Sequence, residues 1–436
     1  MPLLAPSRAA ALLILIVGVA ATGHSGENVP LPAFPLPSDL SLRSPGPEVA
    51  KNLAAFAGAW GPGLWGGSLP HMLFVESVEP NGAASVVYVT GRAAVGANAP
   101  AATRLTGQIS NGSLRLKLPS GAIATYRIAR NGALQGRYAS SGASPSYIEL
   151  SRIEGGLSAV KRAAAGAIAP PWEEVVIPVR SKVGVAAGKT IRLRATVYRA
   201  RFPGPQPLLI FNHGSAEGSV SVARQVNRAW AQALVFRALG YSVVVPMRKG
   251  YGGSDGPWLE ESQDKSVAPE AQLDSAVEDL DGVLEFMKRQ DYVDAARIVV
   301  AGQSRGGFLA VVYAARFPGK VAGAINFSGG WWGERVPSAD FNLTQFRQAG
   351  KEVTTPVLWL YADHDSYYSL AYVEREFEAF QGGGKKGILF EDHELAGEGH
   401  FLSAWPERWE PPVADYLNKL RPAGARVEQQ GVSHLH

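Results

Sequence analysis

The chain has 436 residues, 46% hydrophobic and 18% charged, which excludes a disordered polyelectrolyte and supplies a sizeable core for about two or three domains. Lys and Arg number 42 against 38 Asp and Glu, a net charge of +4, and the basic residues are dispersed, so no nucleic-acid partner is expected. Cysteine is absent, which rules out disulfides, thiolate metal sites and a cysteine nucleophile.

Residues 1–26 have the layout of a secretory signal peptide. Arg8 is a minimal basic start, residues 9–21 are apolar, and Ala20, Ala21, Thr22 and Gly23 offer a cleavage site. The apolar run is short for a spanning helix, so the expectation is an exported protein, periplasmic or secreted. No stable membrane span is expected after cleavage; an uncleaved anchor is the alternative. Residues 27–47 are dense in proline and read as an extended linker.

Residues 48–154 predict a small all-β domain, a barrel or a sandwich. Strands are expected over 72–78, 85–90, 104–109, 113–118, 122–129, 134–138 and 147–153. Asn111-Gly112 and Asn131-Gly132 supply the positive backbone angles of tight hairpins. Leu114, Leu116 and Leu118 alternate with Arg115 and Lys117, so one face is buried and one is wet. Trp60, Trp65 and Tyr88 read as core more readily than as the lining of a ligand cavity. Residues 155–171 form a connector, with a short helix expected over 157–165.

Beyond the connector the periodicity changes. Residues 172–422 predict an α/β domain, followed by a flexible tail over 423–436. An antiparallel pair is expected at 174–179 and 191–198, and buried strands at 207–212, 241–245, 297–301, 321–327, 356–361 and 387–390. Helices are expected over 226–239, 271–289 and 412–420. In the second of these, Leu273, Val277, Leu280, Leu284 and Met287 fall on one face. Alternating strands and helices imply a mostly parallel sheet of about eight strands covered on both faces, with active groups at the carboxyl ends of the strands.

The strongest chemical signal is Gly302-Gln303-Ser304-Arg305-Gly306, set between a β-branched run and an apolar helix-forming run. This is the G-x-S-x-G nucleophile elbow, in which flanking glycines relieve a sharp strand-to-helix turn. A serine nucleophile needs a base, and the base needs an acid, in the chain order Ser, acid, His. Asp363 and Asp365 follow the strand at 356–361, and Asp365 is preferred because it reaches farther across. His393 and His400 follow the last strand, and His400 is preferred because Gly397 and Gly399 flex its loop. His213 is expected to shape its own loop, and His364, His434 and His436 to be exposed. Ser215 and Arg305 are the expected oxyanion-hole N–H donors. The Arg305 side chain is expected to brace a loop or face an acidic neighbour.

A dinucleotide reading of residues 250–256 fails on spacing, and Asp363, His364 and Asp365 lack a second ligand cluster, so neither cofactor nor metal is expected. The segment 329–355 is expected to roof the site. Trp331, Trp332, Tyr367, Tyr368 and Trp258 are candidates for the substrate pocket, and Asp255 for the cleft border.

Residues 172–420 resemble the α/β-hydrolase superfamily, particularly its dienelactone-hydrolase-like and prolyl-oligopeptidase-like serine hydrolases. The motifs that carry the resemblance are Asn212-His213-Gly214-Ser215, residues 248–256, residues 302–307, Asp365 and Gly399-His400. The resemblance implies Ser304 as nucleophile, Asp365 as acid and His400 as base. Dienelactone hydrolases use a cysteine, which this chain lacks, so the expectation is a serine esterase acting on a small-molecule carboxylic ester. The alternatives are a serine exopeptidase, for which Glu260-Glu261 would anchor a peptide amine, and a non-catalytic exported binding protein. Oligomeric state is not legible.

Overall fold

Alternating residues and tight turns in the first third of the chain build an antiparallel meander. The structure is a computed structural model that describes residues 34–92, 99–141, 145–182, 187–260, 267–336, 338, 340–382, 387–395 and 398–420. The signal-peptide reading, the start of the linker, the tail, Glu261, Gly397, His434 and His436 lie outside the described residues. Among the described residues no helix is long and apolar enough to cross a membrane.

After helix α1 (Lys51–Ala54) come β1 (Gly58–Trp65), β2 (Leu69–Val78), β3 (Ala83–Thr90), β4 (Ala101–Ser110), β5 (Ser113–Lys117), β6 (Ile123–Ile128), β7 (Leu134–Ala139), β8 (Ser146–Leu150) and β9 (Arg152–Ile153). Helix α2 (Gly156–Ala165) follows. Each strand pairs with its sequence neighbour from β1 to β8, and β9 returns to β1. Gly66 N–H donates to Tyr147 O at 3.0 Å and Gly61 N–H to Ser151 O at 2.8 Å, so the two ends of the meander meet as a barrel. Strand β1 escapes sequence reading because glycine and proline interrupt it. Tertiary packing makes it a strand: Trp60 and Trp65 are buried in the barrel core with Leu73, Val75 and Tyr88. Trp60, Trp65 and Tyr88 are thus core residues. His71 lies among them, its Nδ1 2.8 Å from Val89 O and its Nε2 2.8 Å from the Tyr126 hydroxyl. Burial lowers its pKa to about 3, so the imidazole is neutral.

The second sheet contains β10 (Glu173–Arg180), β11 (Thr190–Tyr198), β12 (Gln206–Asn212), β13 (Ser242–Pro246), β14 (Val293–Gln303), β15 (Gly323–Phe327), β16 (Val357–Ala362) and β17 (Gly387–Asp392). Its spatial order is β10-β11-β13-β12-β14-β15-β16-β17. The pairs β10–β11 and β11–β13 are antiparallel, and β13 through β17 run parallel. Strands β12 and β14 are neighbours, although β13 separates them in sequence. That is the switch point of the sheet, where the loops diverge and open a crevice at the carboxyl edge.

Helices α3 (Val220–Ala223), α4 (Trp230–Ala238), α5 (Pro269–Met287), α6 (Arg305–Arg316), α7 (Asp340–Glu352), α8 (Leu370–Gly382) and α9 (Pro406–Lys419) complete the unit. Leu208 and Ile210 of β12 face one core with Leu273 of α5, Leu309 of α6 and Phe380 of α8. Leu209 and Phe211 face the other with Phe236 of α4 and Trp409 of α9. Both faces of the sheet are therefore apolar, which explains its uninterrupted hydrophobic strands.

Three expectations need correction. The helix expected over 226–239 is shorter, Trp230–Ala238, after the separate turn α3. The closing helix starts at Pro406, not at 412, and runs through Pro411 and Pro412. Pro406 suits the first helical position, and burial of Trp409, Val413, Tyr416 and Leu417 holds the helix through the later prolines. The expected roof over 329–355 is mostly α7, a crossover helix whose Phe346 and Ala349 are buried in the sheet-facing core.

Candidate active site

Sterics dictate the elbow. Ser304 has φ 56° and ψ −126°, a backbone conformation rare for a side-chain-bearing residue, and its N–H is held by Phe327 O at 2.9 Å. A Cβ on Gly302 would stand 2.4 Å from the Gly306 carbonyl carbon, and one on Gly306 would stand 2.1 Å from Asn212 O. Gly307 is equally confined, 2.4 Å from Asn326 Oδ1 by the same measure. The three glycines thus let β14, α6 and the end of β12 close on one another. Ser304 precedes α6, at the helix end where free N–H groups favour negative charge.

Two loops come to that point. The β16 loop carries Asp365 and the β17 loop carries His400. Both oxygens of Asp365 lie 3.1 Å from His400 Nδ1, and the two side chains are 0% and 4% exposed. Asp365 also accepts the N–H groups of Tyr367 at 2.8 Å and Tyr368 at 3.1 Å, which fixes the carboxylate. Gly399 lets the loops interlock, since a Cβ there would fall 2.1 Å from Asp363 O. Gln303, next to Ser304, donates to His400 O at 3.1 Å and so ties the histidine loop to the elbow.

The other candidates pair with each other. His393 Nδ1 lies 2.9 Å from Asp363 Oδ2, on the surface, with side chains 61% and 37% exposed. The hydrogen bond to Asp363 raises the pKa of His393.

The loop after β12 also reaches the serine. A Cβ on Gly214 would lie 3.2 Å from Ser304 Cβ, and Ser215 follows, half-buried. His213 accepts the Arg248 N–H at Nε2 (3.2 Å), and its Nδ1–H donates to Gly214 O at 2.7 Å. Burial, then the Arg248 charge, lowers its pKa to about 3, so it is a neutral loop brace. Arg248 completes the brace, donating to His213 O at 2.7 Å and forking onto the buried Glu260. In sequence Arg248 stands out only as part of a motif, and Glu260 only as a candidate anchor for a peptide amine. In the fold Glu260 is buried and already paired. Its carbonyl holds Arg305 Nη1 at 2.5 Å, and Arg305 Nε donates to Trp331 O at 3.0 Å. The Arg305 side chain therefore braces the wall, as expected, and leaves only its backbone N–H at the elbow.

The aromatic candidates divide. Trp331 and Tyr368 are buried, while Trp332, Tyr367 and Trp258 are half-buried. Arg305 lies 4.9 Å from the Trp332 ring centre, and Asn342 receives the N–H groups of Trp331 and Trp332 at 2.9 and 3.1 Å. Tyr367 packs 4.3 Å from the His400 ring, and its hydroxyl bonds Glu217 of the β12 loop. Trp258 packs edge-on against Tyr251 at 5.9 Å. Asp255 instead pairs with Arg192 at 2.9 Å on the β11 side of the glycine-rich loop.

Strand order, switch point and elbow coincide with the family evidence. Residues 207–359 match the model of the alpha/beta hydrolase fold. Residues 207–359 thus have the alpha/beta hydrolase fold. The provisionally named carboxymethylenebutenolidase of Methylorubrum extorquens is 31% identical over 121 residues, 28% of this chain and 39% of that protein. The chain thus matches about two-fifths of the length of that curated relative. The solved structures it resembles are less alike in sequence. A Pyrococcus furiosus esterase is 14% identical, covering 58% of this chain and 94% of its own, with a TM-score of 0.43. Acetyl xylan esterase 1 of a Thermoanaerobacterium species is 16% identical, covering 57% and 89%, with a TM-score of 0.39.

Proposed function

We propose that the chain is an exported serine hydrolase that cleaves a carboxylic ester through an acyl-enzyme. The observation that carries this reading is the buried Asp365–His400 pair, tied by Gln303 to a strained serine elbow. Ser304 Oγ attacks the ester carbonyl carbon while His400 Nε2 takes its proton. The oxyanion is held by the N–H groups of Arg305 and Ser215. Collapse breaks the carbon–oxygen bond, and the alcohol leaves with the proton from His400. Water then repeats the sequence and releases the acid. Asp365 keeps the proton on His400 Nδ1 and stabilises the imidazolium. Trp332 and Tyr367 border the acyl or alcohol pocket, with Trp331, Tyr368 and Trp258 behind them. The hydrolase is the domain over 172–422 and the barrel a separate one over 48–154; export rests on the layout of residues 1–26.

An ester is favoured over a peptide because Arg248 occupies Glu260, so this carboxylate is not available to an amine. A fluorophosphonate probe tests the reading. Stoichiometric labelling that Ser304→Ala abolishes is expected, together with turnover of aryl esters above aminoacyl-arylamides. Intact protein that takes no label, with Ser304→Ala indistinguishable in ester turnover, leaves a binding protein on a hydrolase scaffold instead.

A further inference from the structure

The barrel docks on the α/β unit through α4 and α9, and the two do not meet flush. Gln135 donates to Leu234 O at 3.1 Å, Trp230 Nε1 to Tyr147 O at 2.8 Å, and Tyr147 to Glu407 at 2.7 Å. Between these contacts lies a cavity of about 540 Å³, walled by β5–β8 on one side and by α4, Leu395 and the start of α9 on the other. Its lining includes none of Ser304, Asp365 or His400.

We infer that this interdomain cavity is a second small-molecule site, taking an uncharged molecule with an aromatic or alicyclic body. Three observations point there. The volume lies within the range of about 300–1,000 Å³ typical of ligand sites, which favour domain interfaces. The inner wall is apolar, formed by Ile148, Leu234, Val235 and Leu395, all buried, with the half-buried ring of Trp405 beside them. Such a wall offers water few partners and an apolar body much contact. The charged groups of the lining each have an opposite charge beside them. Arg127 pairs with Glu410, Arg137 lies 2.8 Å from Glu407, and Arg408 lies 2.6 Å from Asp392 and 3.1 Å from Glu394. An anion or a cation would compete with a like charge already in place at one of these pairs, whereas a neutral molecule leaves them intact. The rim can still hydrogen-bond a hydroxyl or ether at the ligand's edge.

The test uses 2-naphthol as the neutral probe and 2-naphthalenesulfonate as its anionic counterpart, with binding followed by equilibrium dialysis on the full protein. Two plugs close the cavity from opposite walls. Ala231→Trp projects from α4 and Thr125→Trp from β6, both at half-buried positions. The expected result is 2-naphthol binding below about 1 mM, the sulfonate weaker by about tenfold, and 2-naphthol weakened by about tenfold or more in either plug that keeps the wild-type melting temperature. Wild-type affinity in both plugs places the probe elsewhere and overturns the proposal, as does no binding up to about 1 mM. A sulfonate that binds as tightly as the naphthol overturns the neutral-ligand assignment.

Discussion

Two Asp–His pairs hang from the same two loops, and they differ in burial. Asp365 and His400 are enclosed by Tyr367, Tyr368 and Phe401, and the acid is held by two further backbone N–H groups. Asp363 and His393 make a similar contact in water. In a low-dielectric, fixed setting the hydrogen bond to Nδ1 sets the tautomer and orientation of the ring. At the surface the same bond is screened, and each partner can turn away at little cost. Having an aspartate within reach of a histidine is therefore not enough, because the packing around the pair makes the difference.

Substitutions test that difference. If the proposed mechanism holds, Asp365→Asn is expected to lower kcat by about 10³–10⁴ towards an aryl ester, as loss of the tautomer-fixing acid does in Ser-His-Asp triads, while Asp363→Asn leaves kcat within about twofold. Equal effects from the two would erase the distinction. Next in size is the brace behind the loop that follows β12. Glu260→Gln removes the partner of a buried guanidinium and should destabilise the fold by about 3–5 kcal/mol in urea unfolding. Pairs at the surface predict far less, so a loss below about 1 kcal/mol would mean that Arg248 finds water.

Acid should then weaken both halves of the molecule. His71 and His213 have folded pKa values of about 3, lowered mainly by burial, against about 6.5 in the unfolded chain. The unfolded state therefore binds more protons below pH 6.5. Stability is complete above about that pH and falls towards pH 3, by up to about 1.4 kcal/mol per pH unit per histidine. Denaturant unfolding between pH 7 and 5 checks this, and a flat profile would show that these rings are solvated. The smallest effect concerns the exposed pair. His393 should titrate above the ordinary imidazole value by NMR and return to it in Asp363→Asn, with ester turnover unchanged. Loss of turnover in that variant would give the surface pair a role that its exposure argues against.

The elbow was legible in the sequence because its geometry is local. Gly302 relieves a turn whose clash is with the backbone of Gly306, four residues on, while the close approach of Gly306 to Asn212 arises only when β12 packs beside it. The sheet strands were legible for a similar reason, since both faces of β12 and β14 are covered and their sequences are continuous apolar runs. The Asn-Gly turns announced the hairpins of the meander. Strand β1 gave no such signal, because its glycines and proline are compatible with a strand only when β2 and β9 supply the partners.

By itself, the sequence determined a serine on a strand-to-helix turn, an alternating strand–helix order behind it, and candidate acids and bases in two later loops. Only the tertiary structure decided which acid meets which base, that Glu260 is buried against Arg248, and that the barrel and the α/β unit leave a cavity between them. Turns and periodicity depend on residues a few positions apart. Pairing, burial and interfaces depend on residues brought together from 35 positions apart in Asp365–His400 and 283 in Arg127–Glu410, and these distances in space appear only once the chain has folded.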